Sequence, residues 1–293
     1  MLSRTASELY WLSRYLERAE NMARMIEVSY SLSLMPQDGR SDGMEELAVI
    51  LSITGTLEAY HEQHGPLHAE KMLHFFALDE RNPASIYCCL KAARTNAHAV
   101  RGRITADMWE NLNASWLEMR DIAAQGLGEY GLSRFCDWVK ERSHLFRGAT
   151  YGTIVRGDAY AFLRLGSYLE RADNTQRLLV ARYELMGDAP DAQHDNSARE
   201  YYQWSALLKA LSSFEAYNEV YRAAPATAQV ADMLLLRSEV PRSLINCLSQ
   251  VAQILAQLPG QNGLPAQRMA AEMAARLRYT AISEILEEGL QGF

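Results

Sequence analysis

One charged phrase occurs twice in this chain. Leu16-Glu17-Arg18-Ala19-Glu20-Asn21 returns as Leu169-Glu170-Arg171-Ala172-Asp173-Asn174, and each copy runs on to an arginine four residues past its second acid, Arg24 and Arg177. The separation is 153 residues at every matched position. Each copy is embedded in an apolar stripe with helical steps. Leu9, Leu12, Leu16, Ala19, Ala23, Ile26 and Tyr30 advance by three and four. Phe162, Leu165, Leu169, Ala172, Leu179 and Tyr183 repeat the pattern with Gln176 as its polar interruption. Two long amphipathic helices with the same pattern must each bury an apolar face, which points to helices packed on helices.

The repetition extends beyond the phrase. Thr56-Leu57-Glu58-Ala59-Tyr60 returns as Ser213-Phe214-Glu215-Ala216-Tyr217 at an offset of 157. Asn82-Pro83-Ala84-Ser85-Ile86, with Leu90, returns as Val240-Pro241-Arg242-Ser243-Leu244, with Leu248, at an offset of 158. Matched order with a slowly drifting offset is the mark of an old tandem duplication. Halves at 1–150 and 151–293 are expected, packed as one globular unit. A repeat of this length is far longer than the 20–50 residues of a solenoid, so a helical bundle of two halves about a pseudo-two-fold is the expected fold: all-α.

The remaining helices are expected at 44–64, 83–103, 107–126 and 132–146 in the first half. The second half should supply 198–222, 229–236, 241–258 and 265–290. Thr5 with Glu8 suits a capping box at the first helix, Pro36 and Gly39 suit its end, and Asn82-Pro83 suits a helix start. Gly187 and Pro190 follow the second signature helix. The polar stretches at 35–43 and 187–196 read as equivalent linkers, and no alternating strand pattern is found.

Charge and cysteine usage narrow the function classes. A formal net charge of −7 argues against nucleic acid as a bulk electrostatic partner. Cys88, Cys89, Cys136 and Cys247 form neither a disulfide framework nor a metal-ligand spacing, and Cys88 and Cys247 read as buried thiols. The first residues lack the apolar core of a signal peptide, and no apolar run approaches 18 residues, so no membrane span is expected. A soluble protein of a reducing cytoplasm fits these features.

The charged residues of the repeat are the candidate site. At about 100° per residue, Glu20 falls at the margin of the apolar sector, with Arg24 and Glu17 just outside it and Arg14, Arg18 and Asn21 farther round. Glu170, Asp173 and Arg177 occupy the same angles in the second copy. One reading is a structural network that locks two equivalent helices together. The other is a shared polar cleft, in which Glu17, Glu20, Glu170 and Asp173 are candidate catalytic carboxylates. In that reading Arg14, Arg18, Asn21, Arg24, Arg171, Asn174 and Arg177 bind substrate, the arginines clamping a carboxylate or phosphate. Burial decides between an exposed pair of about 0.3–0.5 kcal/mol and a buried one whose disruption costs about 3–5 kcal/mol.

Glu58-x-x-His61 has the spacing of di-metal bundles, but its counterpart Glu215-x-x-Asn218 lacks the imidazole, so no metal site is assigned. His64, His68 and His74 fall on a stretch read as irregular. Arg94, Arg101 and Arg103, with Trp109, Glu110 and Trp116, could line a basic groove or form a solvated helix face. Asp79-Glu80-Arg81-Asn82-Pro83 reads as a loop held by its own side chains. No phosphate-binding glycine loop or nucleophile–base arrangement is recognisable.

Leu2-Ser-Arg-Thr-Ala, Tyr10-Trp-Leu-Ser-Arg-Tyr-Leu-Glu-Arg-Ala-Glu-Asn, Asn82-Pro-Ala-Ser-Ile and Tyr168-Leu-Glu-Arg-Ala-Asp-Asn-Thr together resemble the bacterial alpha-E domain family over essentially the whole length. The family pattern has Gly where this chain has Ser13, and the second copy keeps Gly166. The resemblance implies that Glu17, Arg18, Glu20, Arg24, Glu170, Arg171, Asp173 and Arg177 match the family's acids and arginines. It also implies a neighbour or fusion partner, a circularly permuted ATP-grasp protein, often beside a transglutaminase-like protease. That company suggests ATP-dependent amide or peptide-bond formation on a peptide or small amino compound. This chain shows no ATP-grasp nucleotide site, so it is expected to hold no cofactor itself and to serve as a helical accessory subunit of the ligase. An independent enzyme acting on an aminoacyl or peptidyl substrate is the alternative, and a metal-binding bundle a more distant one.

Overall fold

The computed structural model describes residues 1–33, 44–187, 196–258, 264–290 and 292. Among these, the regular structure is helical throughout and the chain divides into two units, Met1–Ser167 and Tyr168–Phe293. The expected all-α class is what the structure shows.

The first unit contains α1 (Ser3–Ser33), α2 (Met44–Thr54), α3 (Leu57–His64), α4 (Ala69–Ala77), α5 (Ile86–Ala99), a 3-10 turn (Arg101–Arg103), α6 (Ala106–Gln125), α7 (Leu127–Tyr130), α8 (Leu132–Thr153) and the start of α9 (Asp158–Gly187). Helix α1 packs on α5 and α8, and both of those pack on α6, so the four close a ring. Helices α2 and α4 cover a further side of α1. The apolar stripe of α1 is buried as its spacing requires: Leu9, Leu12, Leu16, Ala19, Ala23 and Ile26 all lie in the core. Burial goes further than the wheel implies, because Ser13, Glu17, Glu20 and Asn21 are buried too. A single apolar sector describes one neighbour, whereas α1 has helices on several sides.

The second unit holds the rest of α9, then α10 (Asn196–Ala210), α11 (Phe214–Tyr221), α12 (Thr227–Leu236), α13 (Leu244–Gln257), α14 (Leu264–Tyr279) and α15 (Ile282–Glu288). Helix α12 packs on α13, α14 and α15, and α13 on α14. Helices α11–α13, of 8, 10 and 14 residues, match α3–α5, of 8, 9 and 14, and so do local details. The Ser85 and Ser243 hydroxyls cap α5 and α13, accepting from Cys88 N and Asn246 N at 3.1 and 3.2 Å. Tyr60 and Tyr217 are buried, and their hydroxyls accept from the backbone N–H of His68 and Ala226 at 3.2 and 3.3 Å. Gly55 and Ser212, at matched positions, both have positive φ, 65° and 51°. Such a bend is easy for glycine and strained for serine.

Several sequence expectations are corrected. The segments 44–64, 198–222 and 265–290 are each two helices, interrupted at Gly55, at Ser212 and between Tyr279 and Ile282. The apolar stripe resumes after each short break, which hides the break from a periodicity reading. Helix α1 already starts at Ser3, so Thr5 lies within it and forms no capping box. Helix α8 runs to Thr153. The stretch carrying His68 and His74 includes α4, which buries Met72, Phe75, Phe76 and Ala77. Cys89, not Cys88, is buried at the position matching Cys247. Pro36, Gly39 and Pro190, the whole of the 35–43 linker and residues 188–195 of the 187–196 linker lie outside the described residues.

The Asp79 loop is held by its own side chains, but the helix begins later than Asn82-Pro83 suggests. Asn82 Oδ1 accepts from Ala84 N at 2.9 Å and its Nδ2 donates to Phe75 O at 2.9 Å, while Ser85 takes the cap. Asp79 accepts from Arg81 N at 2.9 Å and from the Arg81 guanidinium, and His64 Nε2 lies 3.1 Å away. Burial alone would raise the carboxyl. The Arg81 guanidinium and backbone N–H, with His64, outweigh it and bring the pKa down to about 2. A folded-state pKa below the ordinary value contributes stability above the unfolded pKa and loses it as pH falls through the folded one. Asp79→Asn is therefore expected to cost about 1–2 kcal/mol at pH 6, and the deficit should shrink between about pH 4 and pH 2. Urea titrations of both proteins across that range check it; a deficit independent of pH would refute it.

Candidate functional site

The acid–arginine phrase of α1 faces α8. Glu20, fully buried, accepts through Oε1 from Arg24 Nε and Nη2 at 3.1 and 3.0 Å. Its Oε2 accepts from Ser143 Oγ at 2.7 Å and from Arg147 Nη2. The same Arg147 nitrogen donates to Ser143 Oγ at 3.0 Å and lies 3.6 Å from Glu17 Oε2. His144 Nε2 is 3.6 Å from Glu20 Oε1.

One turn further along, Lys140 Nζ pairs with Glu27 Oε2 at 2.7 Å and with Asp137 Oδ1 at 2.8 Å. As α1 is followed backwards from Glu27 to Glu17, the partners on α8 advance from Lys140 to Arg147. The two antiparallel helices are thus joined by a polar ladder with steps of three and four on each side. Beside it, burial pushes the Cys136 thiol up to about 12, which makes it a packing group and not a nucleophile.

Of the first copy's expected site residues, Glu17, Glu20 and Arg24 come together here, and buried Asn21 lies on the same helix. Arg14 and Arg18 also make ring contacts. The Arg14 guanidinium stacks on Trp11 at 5.2 Å and Arg18 on Tyr15 at 5.8 Å. Ser143, His144, Arg147 and Lys140 were missed by sequence reasoning. Their signal was available: residues 140, 143, 144 and 147 form one polar stripe on α8, basic where the α1 stripe is acidic.

The second copy is built differently around the same residue types. Arg171 stacks on Tyr168 at 5.6 Å, as Arg18 does on Tyr15. Glu170 and Asn174 are buried, and Asn174 Nδ2 has no hydrogen-bond partner among the described residues. Thr175 Oγ1 donates to Arg242 O at 2.8 Å. The Asp173–Arg177 pair keeps the spacing and a 3.0 Å contact, yet its side chains are 38% and 56% exposed. The corresponding values for Glu20 and Arg24 are 0% and 16%.

Other candidates settle more simply. Glu58 and His61 are both exposed on α3, and among the described residues no group of three His, Cys, Asp or Glu could hold a metal ion. No helix there is long and apolar enough to cross a membrane. Chemically, the α1–α8 centre offers a saturated carboxylate. Both of its oxygens accept charge-assisted or hydroxyl hydrogen bonds from α1 and α8, an arrangement able to lock the two helices together.

Comparison with known proteins adds one family and a few relatives. A family model described as a predicted alpha-helical domain with a conserved ER motif matches residues 1–293. Uncharacterized proteins of Mycobacterium bovis and Mycobacterium tuberculosis are 25% identical to the chain over 308 residues, an alignment covering 99% of this chain and 34% of each relative. The chain therefore spans about a third of the length of the curated relatives it matches. No solved structure matches it.

Proposed function

Because the chain belongs to the alpha-E family, we propose that it is a helical accessory module of a circularly permuted ATP-grasp ligase. In this reading the ligase forms an amide or peptide bond at the expense of ATP in the bacterial cytoplasm. The observation that carries the proposal is the saturation of Glu20 by Arg24, Ser143 and Arg147. A carboxylate so enclosed stiffens a scaffold, and leaves ATP chemistry and acyl transfer to another polypeptide. The relatives support the reading by their length, since each carries a unit like this one in a chain about three times as long. The additional length of the relatives leaves room for a ligase on the same polypeptide.

We further propose that the module arose by tandem duplication, with copies at 1–150 and 151–293. Support comes from the paired serine caps, the paired buried tyrosines and the positive-φ bends at Gly55 and Ser212. The experiment is co-expression with a circularly permuted ATP-grasp protein from the same genome. Capture of the ligase on the tagged chain, with ADP release stimulated when an amine or peptide acceptor is supplied, is the expected result. A ligase that is never captured and is equally active alone would overturn the proposal. Glu17→Gln and Glu170→Gln are expected to change melting temperature and capture together; loss of turnover at unchanged melting would favour an enzyme using these carboxylates directly.

A further inference from the structure

Helices α5 and α6 present a second charged surface that the acid–arginine ladder does not use. Along α5, Tyr87, Lys91, Arg94 and His98 recur every three or four residues, and exposed Arg101 on the 3-10 turn extends the line. Trp109 of α6 lies against it. The Arg94 and Arg101 guanidinium groups stand 5.7 and 5.3 Å from the indole, and the His98 ring 5.7 Å. Arg94 Nε donates to Asn113 Oδ1 at 3.1 Å, which fixes its orientation. Lys91 is balanced by Glu80 at 3.2 Å. Among the described residues neither Arg94 nor Arg101 has a carboxylate within ion-pair distance. Glu110, next to Trp109, is displaced about 100° round α6.

A guanidinium stacked on an aromatic ring uses its face and leaves its in-plane N–H edge available. That edge takes a carboxylate in a bidentate, charge-assisted pair. Trp109 therefore holds two arginine forks, in a chain whose net charge is −7. The line from Tyr87 to Arg101 extends about 21 Å, the length of about six extended residues. We propose that this stripe docks an extended acidic peptide segment of a partner protein, its carboxylates paired with Arg94 and Arg101. The overall acidity of the chain disfavours a long polyanion such as nucleic acid, whose charge extends well beyond the stripe.

The test is fluorescence anisotropy of a labelled hexaglutamate peptide with the intact chain, and it needs no knowledge of the ligase proposed above. Saturable binding is expected, weakened about tenfold by Arg101→Glu and strengthened at low salt. Arg101 is exposed and makes only a ring contact, so the variant should melt like the parent; Arg94→Gln supplies a second, charge-neutralising variant. No hexaglutamate binding, equal binding by Arg101→Glu, or tighter binding of a six-nucleotide single strand would each overturn the proposal.

Discussion

Replacing Arg24 with alanine should lower the unfolding free energy by about 3 kcal/mol, whereas the same change at Arg177 should cost at most about 0.5 kcal/mol. The two arginines occupy matched positions, each four residues beyond an acid on a long helix, and both bond that acid at 3.0 Å. The acid is Glu20 in one copy and Asp173 in the other, but the larger difference is in the surroundings. Glu20 is sealed from water, so loss of Arg24 leaves part of its charge uncompensated where hydration cannot replace the guanidinium. Arg147 and Ser143 still hold the other oxygen, which places the cost at the low end of the buried range. Asp173 stands in water, and solvent takes over when Arg177 is removed. Chemical denaturation of the two single variants decides the matter. Equal costs would mean that the burial contrast does not govern the two pairs. An Arg24→Ala, Arg147→Ala double variant should lose more than the sum of the singles, because a guanidinium is then missing from each of the two oxygens of buried Glu20.

The sequence carried the helical class and one side of the ladder, and the reason lies in separation along the chain. Glu20 and Arg24 are four residues apart, within reach of a helical wheel. Ser143 and Arg147 come from 123 and 127 residues away. A wheel for α1 says that Glu20 borders the core but not what faces it. That information sits in the complementary stripe of α8, and the two stripes must be read together, in antiparallel order, before the pairing can be seen. Lys140 with Glu27 and Arg147 with Glu17 would have fixed that order.

The limits elsewhere are local. Gly55 signals its bend openly, while Ser212 makes the same bend with a residue that rarely adopts positive φ, so the second break leaves no trace in residue type. Helix α4 is only nine residues long, too short for a periodicity signal, and its histidine, His74, reads as loop. The matched phrase itself misleads in one respect. Asp173 and Arg177 copy the chemistry of Glu20 and Arg24 without their burial, because exposure depends on which helices lie alongside and not on the phrase.

Gly166 gives the sharpest packing test, because the obstacle to a side chain there is backbone. It is the second-copy counterpart of Ser13, and within the first unit the two positions touch. A Cβ at Gly166 would collide with Ser13 Oγ and with Tyr10 O, and would stand 3.1 Å from the Tyr10 carbonyl carbon. Ser13 Oγ could turn away, since it merely donates to Tyr10 O at 3.0 Å and to Leu9 O at 3.4 Å. The Tyr10 carbonyl is part of α1 and moves only if that helix bends or retreats. Gly166→Ala is therefore expected to cost about 2–3 kcal/mol, although alanine is intrinsically the better helix former. Removing the hydroxyl in Ser13→Ala, Gly166→Ala should recover little, because the carbonyl remains. Gly148, exposed inside α8 with nothing within 4 Å of an added Cβ, serves as the control. Gly148→Ala should instead stabilise by about 0.5–1 kcal/mol through helix propensity and a less flexible unfolded chain. Opposite signs at the two glycines are expected in thermal melts of the single variants. If Gly166→Ala also stabilises, the helices do not approach as closely as Tyr10 and Gly166 indicate.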